Sequence, residues 1–207
     1  MPKIVDHDER REFIARVCAE VIAEHGLEQA TLREIAARSG VSKGIVEHYF
    51  ANKDDVIAAA LEWVNQRYLR REQRNTAGKR GLDALAARLR CALPLSPESL
   101  REWKIRLRFW SLAAFDLDVR GPQSERLAAT RRCFEADLRE AIELGEVQGI
   151  DPVAAADRLI HLVAGVSCSA LLDPGYYHRR YIPSVIDNAV AELHHPRGAA
   201  AAGPNSL

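Results

Sequence analysis

The 207-residue chain carries no excess charge of either sign: 29 Lys and Arg are matched by 29 Asp and Glu. That excludes a uniformly basic nucleic-acid coat. A small basic face is still allowed, because only a few phosphate contacts need positive charge. Cysteine is sparse. Cys18, Cys91, Cys133 and Cys168 lie far apart with no CxxC, which argues against a disulfide scaffold and against a zinc site. Three of the four sit among apolar residues of expected helices and read as small core side chains. The N-terminus lacks the apolar stretch of a secretory signal, and no apolar run is expected to reach membrane-spanning length. The chain therefore reads as cytoplasmic, with no membrane partner. Catalytic patterns are missing as well. There is no Cys–His–acid order, no paired metal-ligand spacing on one helix and no phosphate-binding glycine loop. His194-His195 is a doublet near the tail rather than a site. No enzyme, metal or cofactor is expected.

What is present is helical periodicity. Hydrophobic content of 47% is enough for a buried core, and the spacing predicts an all-α chain of about nine helices with no surviving strand pattern. Phe13, Ile14, Val17, Val21 and Ile22 share a first helix that stops near Gly26. A helix beginning near Asn52 repeats Ile57, Leu61, Val64 and Tyr68, and its polar second half suits a connector over about 53–75. Leu82–Leu93 is a short amphipathic helix. Ser96-Pro97-Glu98 is a helix start, with a cap, a proline at the first position and an acid. That helix is expected to run to about Asp118, Gly121-Pro122 to break it, and Gln123–Leu144 to form the next. Asp151-Pro152 starts a helix that ends near Leu172 before Asp173-Pro174-Gly175. Tyr181–Leu193 is a last helix. The tail, 196–207, reads as disordered.

The most informative stretch is 31–50, TLREIAARSGVSKGIVEHYF. Thr31 is a good N-cap, and Glu34 is placed to complete a capping box. Gly40 sits where the chain must turn, Val41 is a turn residue expected to be buried, and Ser42 can cap the next helix. Val46 and Phe50 are four apart and share a face, while Gly44, Glu47 and His48 point the other way. Two short helices with one apolar core and one polar edge form a helix-turn-helix, which places its second helix in the major groove of DNA. A helical hairpin of no special function has similar features.

A longer string adds specificity. From Arg11 to Leu61 the chain resembles the TetR family of transcriptional regulators. The resemblance rests on AEHG (Ala23–Gly26), on ATLREIAARSGVSKGIVEHYFANKDDV (Ala30–Val56) and on Tyr49-Phe50 followed by Asn52-Lys53-Asp54. GIVEHYF is most similar to the BetI-like branch, whose best-known members answer to choline. The resemblance implies a helix-turn-helix DNA-binding domain over 1–53 and a ligand-binding and dimerisation domain over 76–195. It implies a homodimer that represses from a palindromic operator, with half-sites about 34–36 Å or a multiple apart, and is released by an unidentified small-molecule effector.

Family positions give the DNA face. Thr31 would cap its helix and donate to a phosphate. Arg33 would reach a base edge, or else pair with Glu34 or Glu28. Ser42, Lys43 and Gly44 would open the recognition helix, Lys43 meeting a phosphate or guanine and Gly44 admitting the backbone. Ile45 would touch a thymine methyl, His48 and Tyr49 the backbone or base edges, and Lys53 a phosphate at a helix N-terminus. Glu47 departs from the family, where many relatives have tyrosine. A carboxylate there must face a base, such as cytosine N4, or make an internal pair. It either reads or excludes sequence, or is a solvated residue tolerated at modest cost.

In the body, Trp103, Leu107, Trp110 and Phe115, with His161, are candidate ligand contacts. Aromatic faces attract quaternary ammonium groups, and Asp116 or Asp118 lies near. The alternative is an aromatic core. Gly165, Ser167, Cys168 and Ser169 are small enough for close helix approach at a dimer interface. Ligand-independent regulation and a helical protein-interaction adaptor are the competing readings.

Overall fold

The computed structural model describes residues 7–177 and 181–194. Within them the chain forms nine α-helices and no strand: α1 (His7–His25), α2 (Leu32–Ser39), α3 (Lys43–Tyr49), α4 (Lys53–Thr76), α5 (Gly81–Ala92), α6 (Pro97–Ala113), α7 (Leu117–Glu143), α8 (Pro152–Leu172) and α9 (Tyr181–His194). The tail expected to be disordered, and His195, lie outside the described residues.

Two compact units divide the chain. The first holds the residues up to Gln73 together with Ser96–Ser124, and the second holds Arg74–Leu95 and the chain from Glu125 onward. In the first unit α1 packs on α2 and α6, and α2 on α3. Its core joins Ile14, Cys18, Val21 and Ile22 of α1 to Ile35, Val46 and Phe50, to Val56, Ile57, Leu61 and Val64 of α4, and to Ile105 and Phe109 of α6. Burial pushes the Cys18 thiol up to about 12, so it stays protonated and inert despite the nearby Lys53 charge.

In the second unit α5 packs on α9. The amides at the start of α5, which have no partner within the helix, are met by carboxylates from the end of α7 and just beyond it. Glu140 accepts from Gly81 N at 3.1 Å and Glu146 from Leu82 N at 2.8 Å. Arg88 and Asp137, both largely buried, make two bonds of 2.7 and 3.2 Å.

Several sequence expectations need correction. The Trp103 helix ends at Ala113, not near Asp118, and α7 starts at Leu117 rather than Gln123. Pro122 lies inside α7 instead of breaking it. Asp116 caps the new start, accepting from Asp118 N at 2.9 Å. Pro122 removes one bond to the carbonyl of Asp118, and Asp118 is exposed, so water can satisfy it. Proline is tolerable there because the site is close to the helix start.

α8 is also long and apolar enough, by length and composition, to cross a membrane. That corrects the expectation that no run would be. Its Ala155, Leu159, Val163 and Val166 are buried within the second unit, and Asp157 pairs with Arg131 at 2.7 Å. One face of α8 is therefore committed to the core of its unit. Asp151 caps it, accepting from Val153 N at 3.0 Å, with Pro152 in its first turn.

Candidate nucleic-acid interface

The α2–turn–α3 geometry follows from its caps. Thr31 Oγ1 accepts from Glu34 N at 3.2 Å. The reciprocal half of the expected capping box is not formed, because the Thr31 amide already donates to the Gln29 carbonyl at 2.8 Å. Gly40 closes α2 in the left-handed region at φ 66°, which glycine reaches without a Cβ penalty. The Val41 amide then bonds back to the Ala36 carbonyl at 3.1 Å, the long bond of a Schellman turn. Val41 is half-buried against the core rather than fully buried. Ser42 Oγ accepts from Ile45 N at 3.3 Å and starts α3.

These caps present one edge of α2–α3 to solvent. Val46 and Phe50 are fully buried, whereas Thr31, Arg33, Ser42, Lys43, Gly44, Glu47 and His48 are exposed. Ile45 is 42% exposed, an apolar side chain facing outward from a polar edge. Arg33 pairs with neither Glu34 nor Glu28 and has no partner among the described residues. Lys43 Nζ donates to Glu47 Oε1 at 2.5 Å, one helical turn on. Lys53 Nζ donates to the Glu28 carbonyl at 3.2 Å, at the start of α4. Around Gly44 only Ser42 Oγ, at 3.9 Å, would meet an added Cβ. The absent side chain therefore serves nothing inside the protein.

Two residues from α1 support this edge and are missed by sequence reasoning. The Arg11 guanidinium donates to the Tyr49 carbonyl, lies 3.3 Å from Asp55 Oδ1 and stands 4.3 Å over the Phe50 ring. Asp55 in turn accepts from Ala51 N at 3.1 Å, while Asn52 caps α4 by accepting from Asp55 N at 2.9 Å. His7 places its ring 4.6 Å from Tyr49 and 6.1 Å from His48. Periodicity puts His7 and Arg11 on one face of α1, but nothing local says what that face meets.

The candidate ligand residues are divided between the two units. Trp103 is buried and meets half-buried Trp110 edge-on at 5.5 Å. Leu107 is half-buried. Phe115 follows α6 in the turn and is 89% exposed, so it encloses nothing there. Asp116 is engaged as the α7 cap, and Asp118 is exposed. His161 is exposed on α8, in the other unit. The aromatic faces of the first unit already carry a cation. The Arg106 guanidinium lies 4.8 Å from the Trp103 ring and 5.3 Å from Tyr68. Beside it, buried Glu102 takes two bonds from Arg71, at 2.9 and 2.7 Å, and Tyr68 donates to buried Glu72 at 3.0 Å.

A helical chain whose capped two-helix motif holds a polar edge outside its core has the architecture of a helix-turn-helix protein. The profile of bacterial regulatory proteins of the tetR family matches residues 14–60, and that of the BetI-type transcriptional repressor C-terminal domain matches 82–195. The chain belongs to the TetR family, in a BetI-like branch, and is a DNA-binding transcriptional regulator rather than an enzyme. It is 30% identical to the HTH-type transcriptional regulator PksA of Bacillus subtilis, over 93% of this chain and 94% of that one. A solved transcriptional regulator from Rhodococcus is 28% identical with a TM-score of 0.78, covering 88% of this chain and 95% of its own. The structure of SmeT with triclosan is 26% identical with a TM-score of 0.72, covering 96% and 99%. SmeT is the repressor of the Stenotrophomonas maltophilia multidrug efflux pump SmeDEF.

Proposed function

We propose that the chain is a homodimeric repressor that grips a palindromic operator through the α2–α3 edge and lets go when a small molecule binds its body. Residues 1–53 act as the DNA-binding domain, α4 as connector, and 76–195 as the effector and dimerisation domain. The observation that carries the reading is the exposed edge itself. Arg33 is solvent-facing and has no partner among the described residues, and Lys43, Gly44, Ile45, Glu47 and His48 lie outside the same core that buries Val46 and Phe50. An arginine free to approach guanine O6 and N7 is the commonest specific contact in the major groove. Thr31, Ser42, Tyr49 and Lys53 flank it as phosphate and backbone contacts.

The effector half rests on relatives, among them SmeT with its triclosan complex. For this chain, Arg106 against Trp103 and Tyr68 supports aromatic surfaces that are satisfied from within rather than a cage awaiting a choline-like cation. Effector control is a population shift, so the ligand must prefer the conformation that binds DNA less well. The test is a gel shift with the DNA upstream of the chain's own gene, followed by a metabolite screen for release. Retardation of a palindromic fragment by a dimer, relieved by one small molecule, is the expected result. Binding to no DNA defeats the reading, and binding that nothing relieves leaves a ligand-independent regulator.

A further inference from the structure

We infer that Glu47 is a specificity-determining residue, which restrains Lys43 when the protein meets DNA of the wrong sequence. The inference rests on the operator-binding reading above.

Three observations combine. First, the carboxylate holds Lys43 Nζ at 2.5 Å, and both side chains are about half exposed. Second, Lys53 is also engaged, on the Glu28 carbonyl. Of the three basic side chains Arg33, Lys43 and Lys53, only Arg33 has no partner among the described residues. Third, the whole chain has a formal net charge of zero, so it carries no overall positive charge to draw arbitrary duplex in. Non-specific affinity for DNA comes almost entirely from phosphate neutralisation. An edge whose lysine is already neutralised binds arbitrary duplex weakly.

An exposed lysine–glutamate pair one turn apart contributes little on its own, so a well-placed phosphate can take Lys43 away from it. The freed carboxylate is then left facing the groove. There it is repelled by phosphate and by the carbonyl and N7 acceptors of guanine. It is accepted only where a base offers an amino hydrogen, as cytosine N4 does. Lys43 is thus released without penalty only when the base opposite Glu47 is suitable. The same carboxylate lowers background binding and checks one operator position.

The test is Glu47→Gln, which keeps size and removes charge. An operator is first selected from randomised duplexes with the native protein. Affinities of the native and variant proteins are then measured for that operator and for an unrelated duplex over a range of salt. On unrelated DNA the variant dimer gains two phosphate contacts, one per protomer. Its salt slope steepens by about 1.8, so its advantage over the native protein grows about twelvefold from 200 to 50 mM salt. Operator affinity gains less or falls, and the ratio of operator to unrelated binding drops. In a Lys43→Ala background the steepening of the slope on unrelated DNA disappears. An unchanged slope, an equal gain on both duplexes, or a steepening that survives Lys43→Ala overturns the proposal. A native protein that enriches no sequence defeats the DNA-binding reading first, and the proposal with it.

Discussion

The outer edge of α2–α3 and the seam between α4 and α6 use similar residue types to opposite ends. Both lie in the same compact unit and both carry arginine, glutamate and aromatic rings. At the seam these groups satisfy one another: Arg71 with Glu102, Tyr68 with Glu72, Arg106 against Trp103 and Tyr68. At the edge, Arg33 has no described partner, and Lys43 and Lys53 have partners that a phosphate can replace. Residue type therefore does not separate a binding surface from an internal brace. The cost of removing the existing partner does, and it is large in a buried seam and small on a wet edge.

The sharpest way to break that contrast is at the seam. Glu102 is 6% exposed and Arg71 23%. Glu102→Ala should destabilise by about 3 kcal/mol, near the lower end for a broken buried pair, since Arg71 keeps some access to water. Arg71→Met together with Glu102→Leu should lose much less, because no charge is left stranded. Urea unfolding of the two variants checks this. A single-variant loss under about 1 kcal/mol would place the seam in the same class as a surface pair.

Next is Arg11, which joins the two regimes. It contacts no DNA in the proposed reading, yet it holds the Tyr49 carbonyl, Asp55 and the Phe50 ring. Arg11→Ala should cost about 1.5–3 kcal/mol, the range for bonds to a charged group. It should also weaken operator binding at temperatures where the variant remains folded. Anisotropy titration below its melting temperature separates the two effects. Full operator affinity in the folded variant would make Arg11 a stabiliser only.

These residues also mark how far the sequence is legible. Thr31, Gly40, Ser42, Pro97 and Asp151-Pro152 signal helix ends through backbone chemistry confined to a few neighbouring residues, and each is found at its expected end. The alternation of Val46 and Phe50 with Glu47 and His48 is equally local, so the edge is readable. Arg11 acts across 38 residues on Tyr49. Ile105 and Phe109 join the core of α1 across some eighty residues. Periodicity gives such residues a face but not a partner. Trp103 and Arg106 illustrate the ambiguity: an aromatic stripe reads alike as cage or brace until the cation beside it is located. Pro122 misleads for a different reason. Its cost depends on whether the carbonyl left behind can reach water, and that is a property of the folded surface.

A gentler variant sharpens the edge by moving stability and binding in opposite directions. Gly44 is helical, exposed and uncrowded. Gly44→Ala should stabilise the protein by about 0.5–1 kcal/mol through helix propensity. If α3 enters the groove with its backbone close to DNA, the same methyl group should reduce operator affinity. A variant that is both more stable and equally tight would move the contact away from Gly44.

The smallest expected effect belongs to the second unit, where charge stabilises a helix start on a wet surface. Arg80 Nε bonds Glu140 at 2.6 Å, and Glu140 also accepts from Gly81 N. The Arg80 bond, then the Gly81 amide, hold the Glu140 carboxyl below its ordinary value. A depressed folded pKa means that the unfolded chain binds its proton first as pH falls. The stabilisation is therefore complete above the ordinary glutamate value, about 4.3, and is lost as pH drops through the lower folded value. Arg80 is 66% exposed and Glu140 32%, so solvent and salt screen the pair. Urea midpoints measured from neutral pH into the acid range should fall less steeply for Glu140→Gln than for the native chain, and the difference should shrink in high salt. Parallel curves would assign the capping of α5 to the Glu146–Leu82 bond instead, and the contrast between a replaceable wet pair and a committed buried one would then lose its example in this unit.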